Sequence, residues 1–174
     1  MEIKTDALYI RPFKATDFDK VFSYMSDGDT THFLPHGRMS EDEVKDFLRK
    51  SIKAFAVVLP QNSELIGHIE FYPCFGDHTY EIGWVFNRNH QQKGYAFKAA
   101  SAVIKYGFER LDIHRIVATC QPENPASYRL MEKLGMVKEG FFRQCIPKGD
   151  GVWWDELFYS LLKSDYENGF KNIA

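Results

Sequence analysis

Hydrophobic and polar positions change their period within one stretch of the chain, residues 79–111. Aromatic and β-branched side chains first alternate at period two, which predicts a half-buried strand: Tyr80, Ile82, Trp84 and Phe86. After Gly94 the apolar residues recur at every third or fourth position, which predicts a helix beginning near Lys93: Phe97, Ala100, Ile104, Phe108 and Leu111. The stretch therefore predicts a strand, a turn and a long helix.

Similar patterns before and after this stretch predict further strands and helices. Apolar or alternating runs predict strands over residues 8–13, 54–59, 65–72, 114–120, 137–146 and 152–162. Capping signals predict three more helices, marked by Thr16 with Asp19, by Ser40 with Glu43, and by Asn124 with Pro125 and Gly135. Residues 147–151 read as a hairpin loop, and residues 163–174, with Tyr166 and Phe170, as a short helical or frayed tail.

The connections predict how these elements are arranged. Short turns join the strands between residues 54 and 86, which predicts an antiparallel meander. The strand, helix and strand over residues 79–120 predict a right-handed parallel crossover. The start of that helix then lies at the carboxyl ends of two parallel strands, where ligands of α/β sheets usually bind. We predict one α/β domain over residues 1–174.

Residues 91–96 lie between the strand and the helix, where free backbone N–H groups and the helix dipole attract anions. Gly94 and Ala96 leave room for a bulky anion, and Lys93 adds a formal positive charge. The segment therefore suits a pyrophosphate. A glycine near a helix start also fits simple turn chemistry, so the hexapeptide by itself leaves both interpretations open.

Composition narrows the classes of function. The chain has 174 residues, 16% of them aromatic, and a formal net charge of −2, which together predict a folded protein without a basic stripe for nucleic acid or an anionic membrane. No apolar run reaches the length of a membrane-spanning helix, and a charged N-terminus predicts a cytosolic protein. The cysteines and histidines lack metal-type spacing, so we expect no metal.

Three segments agree in order and spacing with one known family. They are Tyr80-Glu81-Ile82-Gly83-Trp84-Val85, then Gln91-x-x-Gly94-x-Ala96, and then Asn124-x-x-Ser127 followed by Glu132-Lys133-Leu134-Gly135. Together they resemble the GNAT superfamily of acyl-CoA N-acyltransferases. The opening Leu8-x-Ile10-Arg11-Pro12 and the segment Trp154-Asp155-Glu156-Leu157-Phe158-Tyr159 narrow the resemblance to the branch that acetylates the N-termini of ribosomal proteins. The resemblance extends from about residue 7 to 165. It implies a mixed α/β sheet, mostly antiparallel, with a central parallel pair that splays to admit acetyl-CoA.

The resemblance also implies a cofactor site. The loop of Gln91, Gln92, Lys93, Gly94, Tyr95 and Ala96 would wrap the pyrophosphate of acetyl-CoA with backbone N–H groups. The pantetheine arm would pair with the backbone of Trp84, Val85 and Phe86, with an N–H near Val85 facing the thioester carbonyl. Asn124 caps its helix and is a further candidate contact, and Lys133 is a candidate neighbour of the nucleotide phosphates or a plain surface charge.

The implied reaction is direct attack of an amine on the thioester, which needs a group to take the amine's proton. Glu81 is the candidate, because period two puts it on one strand face with Gly83 and Val85; the alternative is a solvated or salt-bridged glutamate. Many family members place a tyrosine where this chain has Met131, which cannot donate a proton. Ser127 is the candidate donor instead, and otherwise it only satisfies the helix start.

The acceptor is an open question in the sequence. The loop with His32 and Phe33 suits one wall of a substrate pocket, or else Phe33 fills the core and the histidine is solvated. A protein N-terminus, a polyamine or an antibiotic amine all fit as acceptor. A non-catalytic acyl-CoA-binding module is the competing class, and exposed sheet edges make a homodimer plausible.

Overall fold

Eight strands and five α-helices form the described part of the chain, residues 1–169, in a computed structural model. In chain order they are β1 (Ile3–Lys4), β2 (Tyr9–Pro12), α1 (Phe18–Met25), α2 (Glu41–Lys50), β3 (Ala54–Leu59), β4 (Glu64–Pro73), β5 (Thr79–Phe86), α3 (Tyr95–Arg110), β6 (Arg115–Cys120), α4 (Pro125–Lys133), β7 (Val137–Gly149), β8 (Val152–Leu162) and α5 (Lys163–Asn168). Short 3-10 turns precede α1 and follow β5.

All eight strands belong to one sheet, in the order β1-β2-β3-β4-β5-β6-β8-β7. Neighbouring strands are antiparallel except β5 and β6, which are parallel and joined through α3. This confirms the predicted meander of β3, β4 and β5 and the predicted parallel crossover. The mixed α/β fold expected from the resemblance is therefore the observed one.

Two hydrophobic cores lie on opposite faces of the sheet. One core contains the buried residues of α3 and α4, with Ile82 and Phe86 from β5. The other contains the buried residues of α1 and α2, with Val85 from β5. Because successive strand residues point to opposite faces, β5 contributes to both cores, and the sheet keeps α1 and α2 apart from α3 and α4.

Several predicted helix ends are confirmed. The Ser40 hydroxyl accepts the Glu43 N–H and the Glu43 carboxylate accepts the Ser40 N–H, which is the predicted capping box of α2. The Asn124 side chain accepts the Ser127 N–H at 3.2 Å, as expected of the first residue before α4. Gly135 has a φ of +76°, the left-handed conformation that suits the residue just past a helix.

The predicted capping box of Thr16 and Asp19 is wrong. Residues Ala15–Asp17 form a 3-10 turn, and α1 begins only at Phe18. The Asp17 carboxylate instead accepts the Lys14 N–H at 2.7 Å and forms two hydrogen bonds with the buried Arg11 side chain, at 2.7 and 2.8 Å. Because the charge of Arg11 on β2 holds Asp17, the residue that precedes α1 is Asp17 rather than Thr16.

The predicted loop over residues 147–151 is also wrong in extent. β7 continues through Pro147 to Gly149, and only Asp150 and Gly151 form the turn. Both have positive φ, +51° and +74°, which is the conformation of a tight two-residue hairpin turn. Pro147 is compatible with β7 because this strand lies at the edge of the sheet. β1 was not predicted, α3 begins at Tyr95 rather than near Lys93, and the prediction for residues 170–174 lies outside the described residues.

Candidate active site

The central feature of the site is a gap between the parallel strands β5 and β6. Only three residue pairs join them: Thr79 with Arg115, Tyr80 with Ile116, and Glu81 with Val117. Beyond these pairs β5 runs on to Phe86 and β6 to Cys120 without pairing to each other. The two strands thus diverge toward their carboxyl ends and leave the second half of β5 open on one side.

The phase of the β4–β5 ladder decides which backbone groups face this gap. Hydrogen bonds at its two ends run from the Cys74 N–H to the Thr79 carbonyl (2.8 Å) and from the Asn87 N–H to the Ile66 carbonyl (3.0 Å). The register between them has no shift, so Val85 directs its backbone groups at β4. Trp84 and Phe86 direct theirs at the gap. The free amide nearest the predicted position is therefore that of Trp84 or Phe86 rather than that of Val85.

A loop and the start of α3 close the open end of the gap. The Gln91 side chain donates a hydrogen bond to the Phe86 carbonyl at 2.9 Å, which ties the loop to the end of β5. Gln92 and Gly94 have φ values of +58° and +79°, and the chain reverses there into the helix. The first N–H bonded along α3 is that of Lys98, to the Gly94 carbonyl, so the amides of residues 95–97 have no partner within the helix.

Charged side chains near this loop are already engaged with neighbours. Lys93 donates to the Asn89 carbonyl at 2.8 Å. Arg88, which the sequence did not single out, pairs with Asp29 at 2.8 Å, and both border a small pocket of about 330 Å³ together with Gln91 and Gln92. Arg88 therefore lies beside the loop, together with Lys93.

Lys133 connects the end of α4 to the start of α3. Its ammonium nitrogen lies 4.5 Å from the centre of the Phe97 ring, in the first turn of α3. This cation–π contact holds a positive charge beside the helix start that carries the free amides. Its placement is compatible with the predicted neighbourhood of the nucleotide phosphates.

The first turn of α4 places Ser127 at the carboxyl end of β6. Ser127 is 8% exposed, and its hydroxyl lies beside the Cys120 thiol. Burial raises the pKa of that thiol to about 11, against a hydrogen bond from Ser127 that lowers it. Met131, which stands where the resemblance implies a tyrosine, is 1% exposed and packs in the core.

A group of polar residues from β4 and β5 lies on the sheet face that packs against α1 and α2. Tyr72 lies directly opposite Glu81, and Glu70 directly opposite Gly83, so their side chains share one face of the sheet. Burial raises the pKa of Glu81, and a hydrogen bond from Tyr72 partly offsets this. The pKa of Tyr72 is raised by burial and by the charge of Glu81. The predicted strand face of Glu81 and Val85 is the observed one.

A pocket of about 930 Å³ opens on this same face, between α2 and β4. It is lined by His36, Met39, Asp42, Glu43, Asp46, Phe47, Lys50, Ser51, Ile52, Lys53, Glu70 and Tyr72. His32 and Phe33, the predicted substrate contacts, do not line it; they pack edge to face with ring centres 4.6 Å apart. Within the loop that precedes α2, the pocket is lined instead by His36 and Met39.

Sequence reasoning did not single out Glu70, Lys53 or the α2 side chains of this pocket. Glu70 could have been found, because it alternates with His68 and Tyr72 in β4 and so points to the same face. The α2 side chains could not, since nothing local indicates that α2 lies beside the end of β4. His68 itself is fully buried, accepts or donates a hydrogen bond with Tyr24 at 2.8 Å, and has a pKa lowered by burial to about 3.

The sequence matches the family described as "Acetyltransferase (GNAT) domain" over residues 7–137. The chain belongs to the GNAT family of acetyltransferases. The uncharacterized N-acetyltransferase YnaD of Bacillus subtilis (strain 168) is 49% identical to it over 170 residues, which are 95% of this chain and 99% of that protein. A crystal structure of a GNAT-family acetyltransferase from Bacillus anthracis matches with a TM-score of 0.91 and 49% identity, covering 94% of this chain and 99% of that one.

A further GNAT relative carries a more specific name. The [ribosomal protein uS5]-alanine N-acetyltransferase of Escherichia coli (strain K12) is 27% identical over 184 residues, 97% of this chain and 94% of that protein. The resemblance stated from the sequence motifs is thereby confirmed. The chain is an acetyl-CoA-dependent N-acetyltransferase of the GNAT type, and the competing class of a non-catalytic binding module is set aside.

Two properties of the described residues bear on the predictions about membranes and metals. Within residues 1–169, none of the helices is both long and apolar enough to cross a membrane. In the same part of the chain, no group of three or more His, Cys, Asp and Glu side chains is arranged to hold a metal ion. A cytosolic location and catalysis without metal stay predictions.

Proposed function

We propose that this GNAT enzyme binds acetyl-CoA in the gap between β5 and β6 and transfers the acetyl group directly to a primary amine held in the α2–β4 pocket. One observation carries the proposal. The gap has free main-chain groups along β5 and the start of α3 at its open end. The pocket with its carboxylates is lined by β4, which pairs with the other side of β5. Donor and acceptor can therefore meet without a covalent enzyme intermediate.

The cofactor contacts of the proposal are mostly main-chain. The amides of residues 92–97 would receive the pyrophosphate, as the sequence predicted for Gln92, Lys93, Gly94, Tyr95 and Ala96. The free backbone groups of Trp84 and the Phe86 N–H would pair with the pantetheine arm, while the Phe86 carbonyl stays bonded to Gln91. Gln91 acts by fixing the loop to Phe86, and Asn124 by capping α4, while Lys133 and Arg88 supply positive charge near the phosphates.

The proposed chemistry requires two proton transfers. An ammonium group has no lone pair, so a carboxylate of the pocket face first takes one proton; Glu81 is the residue that the sequence predicts for this role. The amine nitrogen then attacks the thioester carbon, and the carbon–sulfur bond breaks. The Ser127 hydroxyl, the proposed donor, gives its proton to the departing thiolate and receives the second proton from the nitrogen. The products are an amide and coenzyme A.

The charge of the pocket favours an acceptor with one ammonium group, such as a peptide N-terminus. The α2 carboxylates that line the pocket are engaged by their own helix: Asp42 pairs with Lys45 at 3.2 Å, and Asp46 pairs with Lys50 at 2.7 Å. Glu43 is held by Ser40. A polycation would meet α2 carboxylates that already have partners, whereas a peptide offers carbonyl groups to Lys53. The name of the uS5-alanine relative agrees with this acceptor class.

A polyamine is the second candidate, because four carboxylates line the pocket against two lysines. Acidic residues elsewhere on the sheet, such as Glu139 and Asp155, do not line the pocket. Glu139 is engaged by Arg115 and Ser160, and Asp155 accepts the Gln144 N–H at 2.7 Å on the outer hairpin. Recognition of a polyamine would therefore depend on the α2 carboxylates and on Glu70 of β4.

The test is an amine panel that follows thiol release from acetyl-CoA. The panel contains a tetrapeptide beginning with alanine, the same peptide with its N-terminus already acetylated as the matched control, and spermidine. We expect the free peptide to release thiol about tenfold or more faster than its acetylated form. Preference for spermidine would select the second candidate. No release with either amine, despite measured binding of acetyl-CoA, would remove the proposal of direct amine transfer in this pocket.

We also propose that two copies associate through β7. This strand lies at the edge of the sheet, and Val137 and Phe141 on it are 57% and 48% exposed. Long apolar edges of this kind invite pairing with another strand. Light scattering of the native protein and of Phe141→Lys tests this, with a dimer expected for the former and a monomer for the latter. A native monomer at micromolar concentration contradicts it.

A further inference from the structure

Glu70 is the carboxylate of the α2–β4 pocket that lacks a partner. Among the hydrogen bonds and ion pairs of residues 1–169, none involves the Glu70 side chain, although the residue is half-buried. The other three carboxylates of the pocket are engaged by Lys45, Ser40 and Lys50, as described above. A buried, unpaired carboxylate is costly unless something compensates its charge. In this pocket the missing partner would be a cation from outside.

The place of Glu70 along the strands brings it closer to the gap than Glu81. Glu70 lies opposite Gly83, and a Cβ atom added to Gly83 would be 3.5 Å from its Oε2 atom. Glu81 lies opposite Tyr72, in the part of β5 that still pairs with β6. Two residues of strand correspond to about 7 Å, so Glu70 is one such step nearer to the free backbone of Trp84 and Phe86. It also lines the pocket, whereas Glu81 does not.

We propose that Glu70 is the residue that binds the acceptor's ammonium group and takes its first proton, and that Glu81 is a positioning residue that acts on Glu70 through its charge. This rests on the proposed amine transfer. In the step, one N–H bond of the ammonium breaks, its proton joins a Glu70 oxygen, and the electron pair stays on nitrogen for attack on the thioester carbon. Water later removes the proton from Glu70.

The groups that face Glu70 support this division of roles. Burial raises the pKa of Glu70, the charge of Glu81 on β5 raises it further, and His36 and Lys53 oppose the shift. A carboxyl with a raised pKa is a better base near neutral pH. The Tyr72 hydroxyl bonds to Glu81 and favours the charged form of that second carboxylate, which partly offsets the rise in its pKa by burial.

The experiment compares Glu70→Gln and Glu81→Gln with Glu41→Gln as the matched control, which removes one α2 charge outside the pocket lining. The substrate is the better of the alanine-initiated tetrapeptide and spermidine. For Glu70→Gln we expect kcat at neutral pH to fall about a hundredfold, with the Kd of acetyl-CoA unchanged within about twofold. For Glu81→Gln we expect a fall of about tenfold or less, and Glu41→Gln should stay within about twofold of the native enzyme.

The pH profile of kcat/KM separates a base from a merely structural carboxylate. Removing the Glu81 charge lowers the pKa of Glu70, so the acidic limb of the profile should move to lower pH in Glu81→Gln. In Glu70→Gln that limb should be replaced by a steady rise with pH, since only amine deprotonated in solution reacts. Thermal unfolding and acetyl-CoA binding of each variant check that the fold is intact.

The outcomes are distinct. A native enzyme that turns over an amine while Glu70→Gln retains its rate and profile overturns the role of Glu70 and leaves the amine transfer standing. A hundredfold loss in Glu81→Gln with an unaffected Glu70→Gln assigns the proton to Glu81 instead. A native enzyme that binds acetyl-CoA but acetylates neither amine overturns both proposals.

Discussion

The two sides of the cleft are built in different ways. The donor side consists of backbone groups from one continuous segment, residues 84–97, where the strand end, the loop and the helix start follow one another. The acceptor side consists of side chains from α2, β4 and β5, which are separated by many residues and meet only in the folded sheet. In the proposed function, local geometry thus holds the donor, and tertiary packing forms the site for the acceptor.

This difference has a consequence for specificity. Backbone groups are the same whatever the side chains, so the donor side tolerates substitution as long as its conformation persists. Side chains of the acceptor side can change one at a time without disturbing the sheet. A family that uses one donor with many acceptors would be expected to keep these two kinds of wall separate, and mutations should reveal the separation.

The largest expected effect comes from breaking the frame of the acceptor side with Asp17→Ala. The buried ion pair of Arg11 and Asp17 joins β2 to the turn before α1, and its loss leaves Arg11 unpaired with a side chain only 9% exposed. We expect the free energy of unfolding to fall by about 3 kcal/mol in chemical denaturation. The matched control Asp19→Ala removes an exposed acid of the first turn and should cost no more than about 1 kcal/mol.

The same ion pair predicts a pH dependence. Burial opposes ionisation of Asp17, but hydrogen bonds from Arg11 and Lys14 outweigh it, so its pKa lies below the ordinary value of 3.8. A lowered pKa means that the contribution is fully present above that ordinary value and is lost as pH falls through the folded-state pKa. The stability gap between the native protein and Asp17→Ala should therefore narrow only in this acidic range. An unchanged gap there would contradict the assignment.

What the sequence could predict follows the same division. The strand, turn and helix of the donor side were predictable because the change of hydrophobic period is local. Capping signals of other helices are equally local: Ser40, Asn124 and Gly135 have the roles that their residue types suggest. The predicted cap at Thr16 is wrong because Arg11, on β2, forms an ion pair with Asp17 in the turn before α1.

The acceptor side was predicted less completely for the same reason. Glu81 lies on the expected face because strand alternation is local, but the pocket depends on α2 packing beside β4, which no periodicity encodes. His32 and Phe33 were chosen by residue type, and the folded loop instead turns His36 and Met39 to the pocket. Their role in substrate binding stays a prediction.

The next largest expected effect is on kcat, through protonation of the leaving thiolate. Ser127→Ala should lower kcat about thirtyfold with the Kd of acetyl-CoA unchanged, because the thiolate loses its proton donor while the backbone contacts persist. Ser127→Thr keeps the hydroxyl and should restore most of the rate. Tyr128→Phe removes the hydroxyl of the next residue on α4, and a change in kcat below about threefold is expected. If Tyr128→Phe loses more activity than Ser127→Ala, the donor is Tyr128.

A smaller effect is expected where the donor side depends on one backbone conformation. Gly94 has a φ of +79°, and a Cβ atom there would meet no heavy atom within 4 Å, so Gly94→Val acts through strain rather than collision. We expect the Kd of acetyl-CoA to rise about tenfold as the loop leaves the left-handed conformation. Gly151→Val is the matched control, because Gly151 has a φ of +74° and equally open space in the β7–β8 turn. Equal affinity for acetyl-CoA in both variants would show that this loop does not contribute to binding of the cofactor.

The smallest expected effect tests whether side-chain charge adds to a donor side built from backbone. Asp29 pairs with Arg88 at 2.8 Å beside the small pocket bordered by Gln91 and Gln92. Asp29→Asn removes the competing carboxylate and leaves Arg88 free for phosphate, so the Kd of acetyl-CoA should fall about threefold at low salt. Added salt should erase the gain, because both side chains are exposed and their charges are screened. A weaker affinity in Asp29→Asn would show instead that the ion pair holds Arg88 in its binding position.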